Sequence, residues 1–537
     1  MIRRAWDEVR SLVILTRAGF LGIEPPGRFL QILRTLREYG PFGAASRVAA
    51  IRHGDRPAIS DEAGEITFAE LDELTNRLSN AFTDRGLVAG STIGILCRNH
   101  RMPLIAAFAA SRAGINAVWL NTAFSARQAA EVAEREGVEL LVLDTEFEPV
   151  AQGIDLKFGR INCLADADDP DRIEAAMAAG STDLPPAPKR AGRIVLLTSG
   201  TTGTPKGAPR PEPRSLTIPG ALLERMPMRA TEATVIGPPV YHGTGLVIAL
   251  ISISLGSKLV LRRQFDAATF LDDIERHRAT TVCVVPVMLQ RVLSLGRDEI
   301  AKRDLASLRV VFCAGSQLPG EVAERATELL GDVIFNLYGS TEVSVATLAT
   351  PADVRVAPTS VGKPALGSRV LILDEAGSHV APGQIGRIYV GTSSPFEGYT
   401  GGGGKDMVDG LLASGDLGHF DAEGRLYIDG RDDEMIVSGG ENVYPHEVEE
   451  ILVSHPAILD AAVIGVEDAE FGQRLRAFAV MDGGETTTER EVKDFVKVNL
   501  ASYKVPREVV FLDELPRNPT GKVLKRKLAE RVSAAPS

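Results

Sequence analysis

Ile194-Val-Leu-Leu-Thr-Ser-Gly-Thr-Thr-Gly-Thr-Pro-Lys-Gly207 is the stretch from which the architecture of this chain unfolds. Ile194 to Leu197 read as a buried strand. A loop of Thr198, Ser199, Gly200, Thr201, Thr202, Gly203, Thr204, Pro205, Lys206 and Gly207 leaves it. Three glycines let the backbone come close to a ligand, the hydroxyls add donors, and Lys206 supplies one compact positive charge. Directly after a strand, such a loop suits a polyphosphate. It is not the P-loop of kinases and GTPases, which needs G-x-x-x-x-G-K-[ST], because Gly203 is followed by Thr-Pro-Lys-Gly. Gly521-Lys522 is not one either, since position 516 is Pro and position 523 is Val.

On both sides of this loop strands and helices alternate. Thr67-Phe-Ala-Glu70 is a capping box, and Leu71, Leu74, Leu78 and Phe82 line one face of the helix behind it. Residues 92–97 read as a strand, 103–113 as a helix and 116–120 as a strand; Ser125 starts a helix and 140–143 form a strand. The rhythm recurs from Ile194 to about Leu337, with a polar, Pro-rich surface excursion at Ala165 to Arg190. Repeated βα units imply parallel sheets covered on both faces. Beyond Thr350 short strands between Gly and Pro suggest a small β-barrel-like unit. From Asp433 a separate small α+β domain follows. The expected organisation is an α/β protein with an N-terminal segment (1–50), a large domain (51–432) and a small, mobile C-terminal domain (433–537).

The chain has 537 residues, enough for two to four globular units, with ordinary apolar (44%) and charged (24%) fractions. Its formal charge of −12 argues against nucleic acid as a partner. Cys97, Cys163, Cys283 and Cys313 are far apart in sequence, with no CxxC pair, and read as buried reduced thiols of a cytoplasmic protein. No secretory signal is visible. The uncharged stretch Ala233 to Ser257 is broken by Pro238-Pro239 and falls short of a membrane span. Residues 1–47 carry eight Arg against four acids, with Trp6, Val9, Val13, Leu30, Leu33 and Leu36 at helical spacing. Two readings stand: a basic amphipathic surface that meets anionic lipid, or helices packed on the main body with their arginines outward.

Three further motifs carry chemistry. Tyr338-Gly339-Ser-Thr341-Glu342 follows an apolar strand: Tyr338 can offer an aromatic face to a base, Thr341 a hydroxyl to a phosphate, and Glu342 a carboxylate to Mg²⁺. Ser414-Gly-Asp416, with Arg431 fifteen residues on, pairs an acid and a guanidinium suited to ribose hydroxyls. Pro516-Arg-Asn-Pro-Thr-Gly-Lys522 holds a lysine between turn residues, a domain away from the loop at 198–207.

In this order and spacing, over about Thr67 to Lys527, these motifs resemble the adenylate-forming superfamily of acyl-CoA synthetases, luciferases and peptide-synthetase adenylation domains. The resemblance implies an active site between a large and a mobile domain. Thr198 to Gly207 would cradle the β- and γ-phosphates of ATP, and Gly315, Ser316 and Tyr338 would border adenine. Thr341 would contact the α-phosphate, Glu342 would hold Mg²⁺, and Asp416 with Arg431 would take the ribose. Asp433 would be the hinge and Lys522 the catalytic lysine of adenylation. Gly439 and Gly440 would pass the pantetheine arm of coenzyme A, and His242 would gate the acyl carbonyl.

The resemblance also narrows the substrate: peptide-synthetase domains place an Asp for the amino-acid ammonium where this chain has Tyr241-His-Gly-Thr-Gly245, which contains no acid, and SGGENVYPHEVE (438–449) resembles acyl-CoA synthetases more than luciferases or peptide-synthetase domains. Val240 to Leu246 and Val282 to Leu289, the expected pocket walls, carry no charge. A medium- to long-chain fatty acid is therefore the expected substrate, ligated to coenzyme A through acyl-AMP. An acyl-AMP ligase, an aromatic or sterol acid–CoA ligase, and a non-catalytic acyl-adenylate binder are the alternatives. A homodimer and peripheral membrane contact stay open.

Overall fold

The structure is a computed structural model. It describes residues 2–533 apart from 199–205, 211–214, 394–395, 397, 401–403, 433, 439–440, 469–471, 484 and 520. Two large sheets build the N-terminal part. In the nine-stranded sheet, Ile334–Ser340, Val310–Cys313, Thr281–Val284, Ala233–Ile236, Lys258–Leu261 and Pro57–Asp61 run parallel in that spatial order. Antiparallel strands flank them, Ser344–Ala349 and Lys363–Pro364 at one edge and Gly64–Thr67 at the other. In the six-stranded sheet, Arg160–Cys163, Leu140–Asp144, Thr92–Leu96, Asn116–Trp119 and Ile194–Thr198 are parallel, and Lys206–Arg210 closes the edge antiparallel to Ile194–Thr198.

The helix Arg101–Arg112 touches strands of both sheets, and all its residues but Met102 are buried. Ala106, Ala107, Ala109 and Ala110 let the backbones on either side approach, while Leu104, Ile105 and Phe108 fill the layer. The capping box read at Thr67 starts the helix Phe68–Asp84, and Ser125 starts Ala126–Glu136 as expected, where the structure adds a capping box with Gln128. One expectation needs correcting. The excursion 165–190 contains the helix Ile173–Ala179, whose Ile173 and Met177 are buried and which packs on Phe68–Asp84. Two apolar anchors in so short a helix leave too little periodicity to see.

Where a barrel-like unit is expected, Arg369–Leu373, Gly386–Gly391, Met407–Val408, Leu411–Phe420 and Leu426–Arg431 form an antiparallel five-stranded sheet. The small C-terminal part has its own sheet of Glu441–Val443, Ile436–Ser438, Gly472–Met481, Ile458–Asp468 and Glu508–Leu512, under the helices Pro445–Val453 and Glu489–Asn499. Within it Lys525 Nζ is held by Glu434 (2.9 Å) and Glu449 (3.0 Å).

Residues 2–53 contain three helices, α1 (Ile2–Ala18), α2 (Pro26–Gly43) and α3 (Ala45–His53). Buried Arg112 ties the end of α2 to the core: it donates to Gly43 O, Ser46 Oγ and Asn76 Oδ1 and pairs with Asp72 at 2.8 Å. Arg52 clamps the α1–α2 turn through Glu24 and the carbonyls of Gly19 and Phe20. Among the described residues no helix is long and apolar enough to cross a membrane. The stretch 233–257 is instead a buried strand and the buried helix Gly243–Ser254.

Candidate active site

The site is assembled where the large sheets, the antiparallel sheet and the C-terminal part meet. The strand Ile334–Ser340 continues through Tyr338 and Gly339, because Ser344–Ala349 pairs back along it. A side chain on Gly339 would collide with Ser344 O, so the close return of this hairpin requires glycine. Tyr338 Oη donates to Asp416 Oδ2 at 2.6 Å. Asp416 and Arg431 face each other across neighbouring strands, with Arg431 Nη1 3.6 Å from Asp416 Oδ1. Burial pushes the Asp416 carboxyl up, against the Tyr338 hydrogen bond and the charges of Arg431, Lys405 and Lys522. Burial, together with the Asp416 charge, pushes the Tyr338 hydroxyl well up, so it stays a donor. Gly315 and Ser316 leave the end of Val310–Cys313, the parallel neighbour of the Tyr338 strand, and Gly315 takes φ +99°.

Glu342 accepts from Tyr399 Oη (2.7 Å) on one oxygen and from Ser340 Oγ (2.8 Å) on the other. Burial opposes its ionisation, but the Lys405 charge and these hydrogen bonds prevail and hold the carboxyl below its usual range. An ionised carboxylate with two hard oxygens fits Mg²⁺ together with phosphate oxygens. Thr341 lies between Ser340 and Glu342, half-buried. Lys206 Nζ stands 5.3 Å from the centre of the Tyr399 ring. Thr400 N donates to Gly207 O (2.9 Å), and a Cβ on Gly207 would strike Thr400 and Glu136, so glycine is needed for this close approach.

Lys522 sits in a turn in which Asn518 N donates to Lys522 O and Gly521 N to Asn518 O. Lys522 N donates to Asn518 Oδ1 at 2.9 Å. Gly521 takes φ +80°, and a Cβ there would lie 2.8 Å from Val287 Cγ1 and 3.1 Å from Val285 Cγ2. The turn is thus docked on the large N-terminal part, with the Lys522 charge felt at Asp416. Gln290 donating to Leu459 O and Gln317 bonded to His446 hold the same arrangement.

His242 caps the helix Gly243–Ser254, and its Nε2 is buried without a hydrogen-bond partner. Burial lowers its pKa to about 3, so the ring is neutral near pH 7. Tyr241 beside it bonds Thr122 through its hydroxyl at 2.8 Å.

The structure therefore brings Lys206, Gly207, Gly315, Ser316, Tyr338, Gly339, Thr341, Glu342, Asp416, Arg431 and Lys522 around one region, with His242 on the adjoining helix. Ser199, Gly200, Thr201, Thr202, Gly203, Thr204, Asp433, Gly439 and Gly440 lie outside the described residues, as does the side chain of Thr198. Sequence reasoning missed Tyr399 and Lys405. A second glycine run, Thr400-Gly-Gly-Gly-Gly-Lys405, was the available signal. The cysteines are buried and reduced, as expected. Parallel strand ends nevertheless bring the ligand atoms of Cys97, Asp144 and Cys163 within 4.8 Å of one another. Cys97 donates to Val142 O, and both Asp144 oxygens accept, from His100 and from Arg98 N, so this group is satisfied as it stands.

The chain matches the family of AMP-binding enzymes over residues 46–400 and the AMP-binding enzyme C-terminal domain over 447–522. It is 30% identical to a fatty acid–[acyl-carrier-protein] ligase, ScoC, of Streptomyces coeruleorubidus, covering 88% of this chain and 93% of the relative. It is 31% identical to a feruloyl-CoA synthase of Amycolatopsis sp. over 90% of this chain and 95% of the relative. The o-succinylbenzoate CoA synthetase MenE of Bacillus subtilis, solved with its acyl-adenylate intermediate, superposes with a TM-score of 0.78 at 28% identity, covering 90% of this chain and 97% of that one. With both family regions matched in order and the same α/β architecture beneath them, the chain belongs to the AMP-binding enzymes of the adenylate-forming superfamily.

Proposed function

We propose that this enzyme joins a medium- to long-chain fatty acid to coenzyme A through an acyl-AMP intermediate, releasing AMP and pyrophosphate. The observation that carries the reading is the docked Lys522 turn, which brings one ammonium from the C-terminal part to the Tyr338–Asp416–Arg431 cluster.

A carboxylate is a poor electrophile, because its charge repels nucleophiles and oxide does not leave. When the acid oxygen attacks the α-phosphorus of ATP, the bond to the pyrophosphate oxygen breaks and the carbonyl gains a leaving group, AMP. Arg431 and Asp416 orient the ribose; Tyr338, Gly315 and Ser316 border the base. The loop Thr198 to Gly207, with Lys206, holds the β- and γ-phosphates, and Thr341 donates to the α-phosphate. Glu342 would hold Mg²⁺, which neutralises phosphate charge when bound. Lys522 stabilises charge that grows on the α-phosphate in the transition state. In the second step a thiol attacks the acyl carbonyl and AMP departs. Asp433 is the pivot that withdraws Lys522 between the steps, while Gly439 and Gly440 give the pantetheine arm room. Neutral His242 presents its imidazole beside the acyl carbonyl as a hydrogen-bonding gate.

The uncharged stretches Val240 to Leu246 and Val282 to Leu289 support an aliphatic acid, since each buried CH₂ contributes about 0.8 kcal/mol. Such an acid resides in lipid, so the same reading has the enzyme drawing it from a membrane surface. The relative that is an acyl-carrier-protein ligase favours one second reading, a carrier-protein thiol as acceptor. The test is pyrophosphate release across carboxylic acids of graded length, with aryl acids included, followed by product analysis with coenzyme A or pantetheinylated carrier protein. Turnover of aryl acids alone would overturn the fatty-acid reading.

A further inference from the structure

The N-terminal helices present an apolar face to solvent that the fold does not use. α1 is held from inside: Leu15 and Ser11 are buried, Gly220 of the helix Thr217–Arg225 has no room for a side chain because Ser11 packs on it, and Glu8 accepts from Ser215 Oγ and Leu216 N. This anchoring turns Trp6 (69% exposed), Val9, Leu12 and Val13 outward. At 100° per residue these four fall within an arc of about 120°, the width of an amphipathic stripe. The turn after α1 adds Ile23, which is 95% exposed, and α2 adds Phe29, Leu30 and Leu33. Eight of the seventeen exposed large apolar side chains among the described residues thus lie between Trp6 and Leu33. The helical spacing seen in the sequence marks a face that points away from the core.

Charge decides what covers this face. Eight arginines against four acids in residues 1–47 make the segment basic in a chain of net charge −12. Arg10 and Arg17 are exposed and a heptad apart, on the edge of the stripe beside Trp6 and Val13, and Arg34 and Arg37 are exposed on α2; Arg10 pairs with Glu224 and Arg34 with Glu38, so Arg17 and Arg37 carry the charge argument. A solvent-facing apolar stripe bordered by guanidinium groups matches the acyl–headgroup boundary of an anionic bilayer. The match to the AMP-binding family begins at residue 46, after α1 and α2.

We propose that α1, the turn at Ile23 and α2 form a monotopic docking surface for an anionic phospholipid membrane, with Trp6, Ile23, Phe29 and Leu30 entering the interface. The geometry stands apart from the identity of the acid; only its purpose, delivery of a lipid-borne acid, rests on the reading above.

The chain has two tryptophans, exposed Trp6 and buried Trp119 (1% exposed), which makes the test direct. Full-length protein is titrated with vesicles of phosphatidylglycerol and phosphatidylcholine, and with phosphatidylcholine alone, while tryptophan emission and co-sedimentation are read. The expected result is a blue shift and sedimentation with anionic vesicles only, weakened by salt. Trp119→Phe should keep the shift and Trp6→Phe should lose it. A Phe29→Ser/Leu30→Ser variant should lower vesicle affinity at least tenfold, and so should Arg17→Glu/Arg37→Glu. Both should leave turnover of a water-soluble short-chain acid unchanged, which shows that they fold. Absence of wild-type sedimentation, or equal sedimentation of wild type and the serine variant, overturns the proposal. So does concentration-dependent self-association without vesicle binding that Phe29→Ser/Leu30→Ser abolishes, because the face would then belong to a second copy of the chain.

Discussion

Replacing Gly521 with Ala tests whether the docked Lys522 turn is the adenylating arrangement. Two costs arise, and they fall on different states. The left-handed φ of +80° strains any residue with a Cβ, by roughly 1–2 kcal/mol. That strain acts wherever the turn keeps its shape, docked or not, and so leaves the docking equilibrium nearly unchanged. The contact at 2.8 Å with Val287 Cγ1 exists only when the turn sits on the helix Pro286–Leu293. Overpacking of this kind costs about 1–3 kcal/mol, and the stiff β-branched Val287 has little freedom to yield. At 1.4 kcal/mol per tenfold, the docking equilibrium constant should fall about 5- to 150-fold. Acid-dependent ATP–pyrophosphate exchange should fall with it, while thioester formation from supplied acyl-AMP should be nearly untouched. Val287→Ala in the same chain opens the space and should recover most of the exchange. Unchanged exchange in Gly521→Ala, or equal loss of both half-reactions, would refute the argument.

Lys522→Ala should abolish exchange yet spare thiol transfer from supplied acyl-AMP; full adenylation by this variant would remove the lysine from the mechanism. Lys405→Ala removes a charge that holds Glu342 ionised, so its carboxyl rises. Because a depressed carboxylate is lost as pH falls through its folded pKa, the acid limb of the pH–rate profile for pyrophosphate release should move to higher pH. An unmoved limb would disconnect Lys405 from Glu342. Asp72→Ala strands buried Arg112 and should cost about 3–5 kcal/mol, read as a lower urea midpoint. A shift of under about 1 kcal/mol would show that Gly43 O, Ser46 and Asn76 suffice without the ion pair.

Local signals were legible and long-range ones were not. The capping box at Thr67, the helix start at Ser125, the apolar strands, and the order of the motifs rest on neighbours in sequence, and they place the sheets. The continuation of the Tyr338 strand is invisible because Gly-Ser-Thr reads as a turn; only pairing with Ser344–Ala349 extends it. Tyr399 and Lys405 flank a glycine run without periodicity, and their importance comes from Glu342, some sixty residues earlier. Cys97 and Cys163 meet because parallel strands align their ends, a juxtaposition that no spacing rule encodes. The outward direction of Trp6 and Leu30 is set by what anchors α1 and α2, and helical spacing alone cannot tell an inner stripe from an outer one.

The ion triad of Lys525, Glu434 and Glu449 has a mechanical consequence. Lys525 follows Lys522 by three residues, and Glu434 follows Arg431 by three, so the triad rivets the lysine turn to the segment leaving the Asp416–Arg431 pair. Any swivel between Arg431 and Glu434 therefore carries Lys522 as rigid cargo at the end of a short crank, and a small rotation there becomes a long stroke at the ammonium.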